Sequence, residues 1–454
     1  MSDSVRLEFM MLLFVLFALG VVFLPTRYAL LCWFLSAHLD LSGSQWASAS
    51  AIGWGNTVRV IGLPTVLLVR IGLRRCLNLS YPATSFRAFL LFTLYVGVAS
   101  LWSSFPISAL KQFGYLYGYV VGFLILRWAW DQGILTYRLM WYAVIGSMAL
   151  GIFRLWLQGE HVERFSSFTS PQSYAEFLVA VLCILLYDPQ LRATTKTIYG
   201  VVVVYLVLLS GSRIGLIGAI ACILVFLLYM AIQVNRTARL ISYVGLVVLT
   251  VVVMATSSIV ASESVGWSFR ALDLLGVVSG KYELSDIGTF AFRLGMWEAA
   301  LTLYQHFETY EWIFGRGTSS SAEVALFFSE RYDPLTIDAN RVMHNEFLRA
   351  FYEWGFLGLV ALVGFLMVLV WFGINLLRRG SYRRAFLLFS FLPMLYLSLL
   401  TENIIAAGGA NGIAFLAVLA LVADVESSHR HNHIQRKASL NAAVYSLRGK
   451  VWRK

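Results

Sequence analysis

A histidine–asparagine pair at 344–345 heads the stretch HNEFLRAFYEWGFLG, in which Glu346, Arg349 and Glu353 follow at helical spacings of three and four. Imidazole suits general-base work near neutral pH. Asn345 either orients the ring or caps the helix, and a histidine at such a place also serves as a hydrogen-bonded cap. Glu346, Arg349 and Glu353 form a polar stripe facing the protein interior, and Gly355 and Gly358 favour close helix packing.

Two arginines supply complementary chemistry. Arg213 follows Ser210, Gly211 and Ser212 and begins the apolar run RIGLIGAIACILVFLL. Small residues with exposed N–H groups at a helix start suit an anion, and a guanidinium binds phosphate oxygens bidentately. The same residue also reads as an interfacial anchor. Arg293 lies four residues before Trp297 on one helical face, open to an anion or paired with a carboxylate such as Glu298. Lys111, Arg154 and Arg164 are further basic groups near helix ends, suited to a substrate phosphate or a lipid headgroup. Arg59 is mid-helix in TVRVIGLPTVLL, beside a cavity or snorkelling.

Other chemistries are missing from the pattern. There is no P-loop or GxGxxG cradle, no D-x-D, and HNEFL lacks the second histidine of H-E-x-x-H. Cys32, Cys76, Cys183 and Cys222 have no metal-ligand spacing. The expectation is a site with no metal and no cofactor.

The elements that position these groups are apolar helices. Only 13% of the 454 residues are charged and 59% are hydrophobic, against about a quarter charged in soluble domains. Runs such as EFMMLLFVLFALGVVFL and LIGAIACILVFLLYMAI approach the length a bilayer core requires. The pattern is that of an all-α polytopic membrane protein with 12 or 13 transmembrane helices. The run at 8–24 has no basic n-region or A-x-A site, so a retained helix is expected there. Other spans are expected at 28–41, 57–73, 88–105, 107–129, 136–158, 172–187, 197–210, 213–232, 239–259, 346–377, 385–400 and 404–423.

The net charge of +11 is concentrated in short connections and in the tail. That distribution reads as topology rather than nucleic-acid binding. It places the C-terminus in the cytoplasm and leaves 261–343 as one large external loop. This loop carries eleven acidic residues and six basic ones, a net of −5. The helical pattern in FRLGMWEAALTLYQHF predicts a small folded lid there. The domains expected are N-terminal helices over 1–260, the loop at 261–343, C-terminal helices at 344–424 and a basic tail at 425–454. The segments SSFPIS, GEHVERFSSFTSP and SGSR all fall on the same outer side as the loop.

Three segments together resemble the bacterial O-antigen ligase and polysaccharide polymerase family. They are SGSRIGLIGAI, FRLGMWEAAL followed by WIFGRG, and HNEFLRAFYEWGFLG. Where family members often show Pro-Asn after an arginine-containing loop, this chain has Pro171-Gln172. The resemblance implies an inner-membrane glycosyltransferase with a periplasmic site. Its donor would be a glycan on undecaprenyl pyrophosphate, and no metal or nucleotide would be needed. In that setting Arg213 and Arg293 would stabilise the leaving pyrophosphate and His344 would deprotonate the acceptor hydroxyl. Lys111, Arg154, Arg164 and Asn345 would contact substrate. The acceptor is lipid A core in a ligase or another lipid-linked repeat in a polymerase, and the pattern leans to the ligase. A lipid-linked glycan flippase is the more distant reading, disfavoured because mid-membrane charge is sparse.

Overall fold

The computed structural model describes residues 3–39, 57–77, 84–158, 165–167, 170–233, 288–332, 343–402 and 410–423. Among these residues every regular element is helical. Lipid offers no partner to a peptide group, so a bilayer-crossing chain satisfies its backbone within each helix. Five helices are long and apolar enough to cross a membrane: Pro106–Asp131 (α6), Tyr137–Gln158 (α7), Arg213–Gln233 (α10), Glu346–Arg378 (α14) and Tyr382–Thr401 (α15). Shorter apolar helices join them: Asp3–Phe23 (α1), Thr84–Ala99 (α5), Pro171–Leu186 (α8), Ala193–Leu209 (α9) and Ala410–Ala423 (α16). Thr26–Ser36 (α2), Leu63–Ile71 (α3) and Leu73–Leu77 (α4) complete the bundle. The span expected at 28–41 is shorter than anticipated, and the one at 239–259 lies outside the described residues.

Contacts fix which helix ends lie together. Ser390 Oγ donates to Cys222 O at 3.4 Å, and Gly218 lies against Met394. α10 and α15 are therefore antiparallel, and their register carries Arg213 level with Leu399, one turn before Glu402. Ala175 of α8 packs on Gly215, and Phe165 N donates to Leu209 O at 3.0 Å. The turns at 165–167 and 210–212 thus share one end of the bundle with the start of α8, and the contacts of His344 with Glu402 and of Ser103 with Thr318 bring the start of α14 and the turn at 103–105 there as well.

That end carries three further helices, Gly288–Tyr304 (α11), Thr309–Phe314 (α12) and Ala322–Tyr332 (α13). They own a separate small core in which Met296, Ala300, Tyr304, Val324 and Phe328 gather around Met343 and Tyr352. These helices fall within the 261–343 segment for which a folded lid is expected, and they are called the lid. The lid is seated directly on the start of α14.

Gly355 departs from expectation. It breaks α14 at φ 63°, ψ −163°, a conformation open essentially only to glycine, instead of packing one straight helix on another. A Cβ there would collide with the backbone of Ile313. The kink strips Tyr352, Glu353 and Trp354 carbonyls of their helical donors, and buried carbonyls need replacements. Arg316 N and Gly317 N of the lid donate to Tyr352 O and Glu353 O at 3.1 and 2.8 Å, and Tyr95 Oη donates to Trp354 O at 2.8 Å. Gly315, at φ 73°, ψ −178°, faces the kink from the lid side. Gly358 sits just beyond, where a side chain would meet Trp354 and the carbonyl of Ala350.

Candidate active site

The start of α14 is pinned from both sides. Trp297 Nε1 donates to Met343 O at 2.9 Å, and Asn345 Oδ1 accepts from Phe347 N and Leu348 N at 3.0 and 3.1 Å. Asn345 is therefore the helix N-cap. His344, held between these two anchors, adopts φ +51°. That left-handed region is uncommon for non-glycine residues, although histidine is enriched there. Local strain held by its surroundings is characteristic of functional positions.

The ring of His344 meets Phe292 edge-on, with centroids 6.2 Å apart, and its Nδ1 lies 3.6 Å from Glu402 Oε2. The other oxygen of the same carboxylate forms an ion pair with Arg293. The 3.6 Å contact exceeds hydrogen-bonding distance. Arg293 and Trp297 sit one turn apart on α11, so a single helix face sets both the arginine and the backbone before His344. All three side chains keep some exposure, 15% for Arg293, 18% for Glu402 and 30% for His344.

Glu402 is positioned by the end of α15, where its N–H donates to Ser398 O at 2.8 Å. Ser398 Oγ in turn donates to the fully buried Glu176 at 2.8 Å, and Asn411 Nδ2 donates to the other Glu176 oxygen at 2.5 Å. This ties α8, α15 and α16 together directly beside Glu402. Glu402 was visible in the sequence only as a lone carboxylate in a short turn. Its pairing with Arg293 spans 109 positions and leaves no local spacing to find.

Arg213 begins α10 level with Leu399, which puts it at the same bundle end. Ser212 Oγ accepts from Gly215 N at 3.1 Å and caps that helix, and Gly211 supplies the turn at φ 63°. Arg154 is committed to the neighbouring segment, donating to Ser166 Oγ and, at 3.0 Å, to Ser167 O. Ser167 Oγ also lies 2.9 Å from Nδ1 of the buried His38. Lys111 is on another flank, with Nζ 5.9 Å from the centre of the Tyr115 ring. Arg59 is buried and donates to Leu39 O at 2.6 Å, so it neither snorkels nor meets the site. Arg164 lies outside the described residues.

The polar stripe of α14 is buried as expected. Arg349 pairs with Glu353 at 3.0 Å and Glu346 at 3.2 Å, all three essentially without exposure. Ser321 Oγ and Gln112 Nε2 donate to the two Glu353 oxygens at 2.5 and 3.2 Å. Lid, α6 and α14 are thereby joined through one carboxylate. Among the described residues no three His, Cys, Asp or Glu side chains gather as metal ligands.

An apolar helical bundle in which a histidine, a carboxylate and an arginine meet at one end is the layout of an all-α polytopic membrane protein. Residues 198–363 match the family model described as O-Antigen ligase, which places this segment in the O-antigen ligase and polymerase family. No curated protein matches the chain. The function that goes with the family is O-antigen ligase- or polymerase-like. The matched segment contains Arg213, Arg293, His344 and Gly355 and ends before Glu402.

Proposed function

We propose that the protein is an inner-membrane glycosyltransferase that moves a glycan from undecaprenyl pyrophosphate to an acceptor sugar hydroxyl on the periplasmic side. The observation that carries this reading is the Arg293–Glu402–His344 cluster at the strained start of α14. His344 takes the proton from the acceptor hydroxyl as the oxygen attacks the anomeric carbon, and that carbon is inverted. Glu402 faces the imidazolium as it forms. The bond to the pyrophosphate breaks, and Arg213 with Arg293 receives the charge that builds on the leaving oxygens. Lys111 and Arg164 serve the donor phosphates. Asn345 and Arg154 act through the backbone, the first by capping the helix behind His344 and the second by holding 165–167.

The acceptor proposed is lipid A core, as in a ligase; a polymerase would use another lipid-linked repeat. Purified protein given an undecaprenyl-pyrophosphate glycan and each acceptor in turn, with EDTA present, tests the reading. Transfer that survives EDTA and is lost in folded His344→Ala and Arg213→Ala variants is the expected result. Full activity in both variants refutes the site. Polymer left on undecaprenyl pyrophosphate in cells lacking the protein identifies a ligase, and single-repeat products identify a polymerase.

A further inference from the structure

A cavity of about 740 Å³ opens between the end of α5 and the lid, and the chemistry described above makes no use of it. Its volume falls in the range of small-molecule sites, roughly 300–1,000 Å³. Trp102, Tyr310 and Phe314 line it with faces that remain 39%, 55% and 43% exposed. Glu311, Arg316 and Glu323 supply the polar side of the same wall.

The polar groups are held in place. Arg316 Nη1 donates to Glu323 Oε2 at 2.9 Å, and Tyr352 Oη donates to the same oxygen at 2.9 Å. Arg316 Nε lies 3.1 Å from Glu311 Oε1 without the alignment of a hydrogen bond, so that contact is electrostatic. The guanidinium also stacks over Phe307, 4.8 Å from the ring centre. Burial opposes the charge of Arg316, but the Glu323 hydrogen bond, Tyr352 and the two carboxylates outweigh it and raise its pKa. The two carboxylates retain acceptor capacity beyond these bonds, since a carboxylate offers about four lone-pair sites.

This combination selects among ligands. Two carboxylates against one arginine leave the wall net negative, which disfavours a second phosphate site. Three charged groups make the wall costly to cover with a hydrocarbon chain. A sugar ring suits both sides, with a C–H face for the aromatic side chains and hydroxyls for the carboxylates. Glu323 of this wall accepts from Tyr352, which stands six residues into α14 from Glu346, about 9 Å at the helical rise, so the cavity wall is joined to the helix whose start carries the candidate base.

We propose that this cavity is a saccharide-binding subsite for the glycan that reaches His344, an inference that rests on the transferase reading above. The rings held there belong either to the acceptor or to the donor. Tyr310→Ala and Trp102→Ala remove exposed ring faces, so both variants should melt as the wild type does. Saturation-transfer NMR with lipid-free core oligosaccharide and with free repeat-unit oligosaccharide reads binding directly, in wild type and variants. Transfer assays read KM for each substrate. The expected result is loss of the saturation signal for one oligosaccharide and a rise of roughly tenfold in KM for the corresponding substrate, about 1.4 kcal/mol, with kcat within about twofold. The substrate affected names the source of the rings. Unchanged signals and unchanged KM for both substrates overturn the proposal, as does a defect confined to membrane association. A wild type that binds oligosaccharide but transfers nothing removes the transferase reading and leaves a binding site; a wild type that transfers but shows no signal from either oligosaccharide overturns the subsite alone.

Discussion

Replacing Glu402 by Gln isolates the charge that joins Arg293 to His344. The amide keeps the size of the side chain and retains an oxygen to accept from Arg293, so the local packing survives. What disappears is a negative charge 3.6 Å from His344 Nδ1. Two unit charges at that distance interact by about 1 kcal/mol at the dielectric of water and about 5 kcal/mol at an effective value near 20. Water reaches both groups, which are 18% and 30% exposed, and Arg293 on the same carboxylate offsets part of the attraction. A loss of about 1.4 to 2.8 kcal/mol of imidazolium stabilisation follows, or roughly one to two factors of ten in kcat. His344→Ala removes the base itself and should cost about 10²–10⁴.

A double-mutant cycle decides whether the two residues act together. If Glu402 works through His344, adding Glu402→Gln to His344→Ala changes kcat by less than about twofold. The assay is single-turnover transfer with purified protein, which separates chemistry from substrate binding. A Glu402→Gln enzyme within twofold of wild type refutes the argument. So does a double variant that falls by the full Glu402 factor below His344→Ala, because the carboxylate would then act elsewhere.

The remaining predictions concern how the site is held. Gly355→Ala forces a Cβ into the Ile313 backbone at a dihedral pair that costs other residues about 1–3 kcal/mol before any collision; a clear drop in melting temperature is expected, while Gly364→Ala, with nothing within 4 Å, holds or raises it. Arg349→Met leaves Glu346 and Glu353 buried without their cation, and a loss of about 3–5 kcal/mol should show as little monodisperse protein on size exclusion. Arg154→Ala frees Ser166 and Ser167 and should lower the melting temperature with donor KM within about twofold; a large rise in KM at unchanged stability would show that Arg154 binds substrate instead. Arg213→Lys keeps the charge but loses the bidentate fork, so its kcat should fall between those of wild type and Arg213→Ala.

How much of this was legible in the sequence depends on how local each cause is. Apolar runs revealed the helices of the bundle because a bilayer demands hydrophobicity over about 20 residues whatever the neighbours. The stripe of Glu346, Arg349 and Glu353 was legible because i, i+3 and i+4 positions share a helix face. His344 and Arg293 stood out by residue type, but their meeting through Glu402 did not, since an ion pair across 109 positions follows from the fold rather than from any spacing. The kink was hidden for a different reason. Charged residues stop at Glu353 and the sequence is apolar from Phe356 to Ile374, but both halves keep a helical pattern, so the sequence reads one helix through Gly355. What breaks the helix is the lid: Gly315 and Gly355 each take a conformation that other residues avoid, and Arg316 N and Gly317 N supply the donors that the broken turn requires. Each glycine was visible in its own segment, WIFGRG and YEWGFLG, but only their apposition explains why both are glycine. The same apposition seats the lid on α14, and with it the face of α11 that brings Arg293 to the Glu402 carboxylate beside His344.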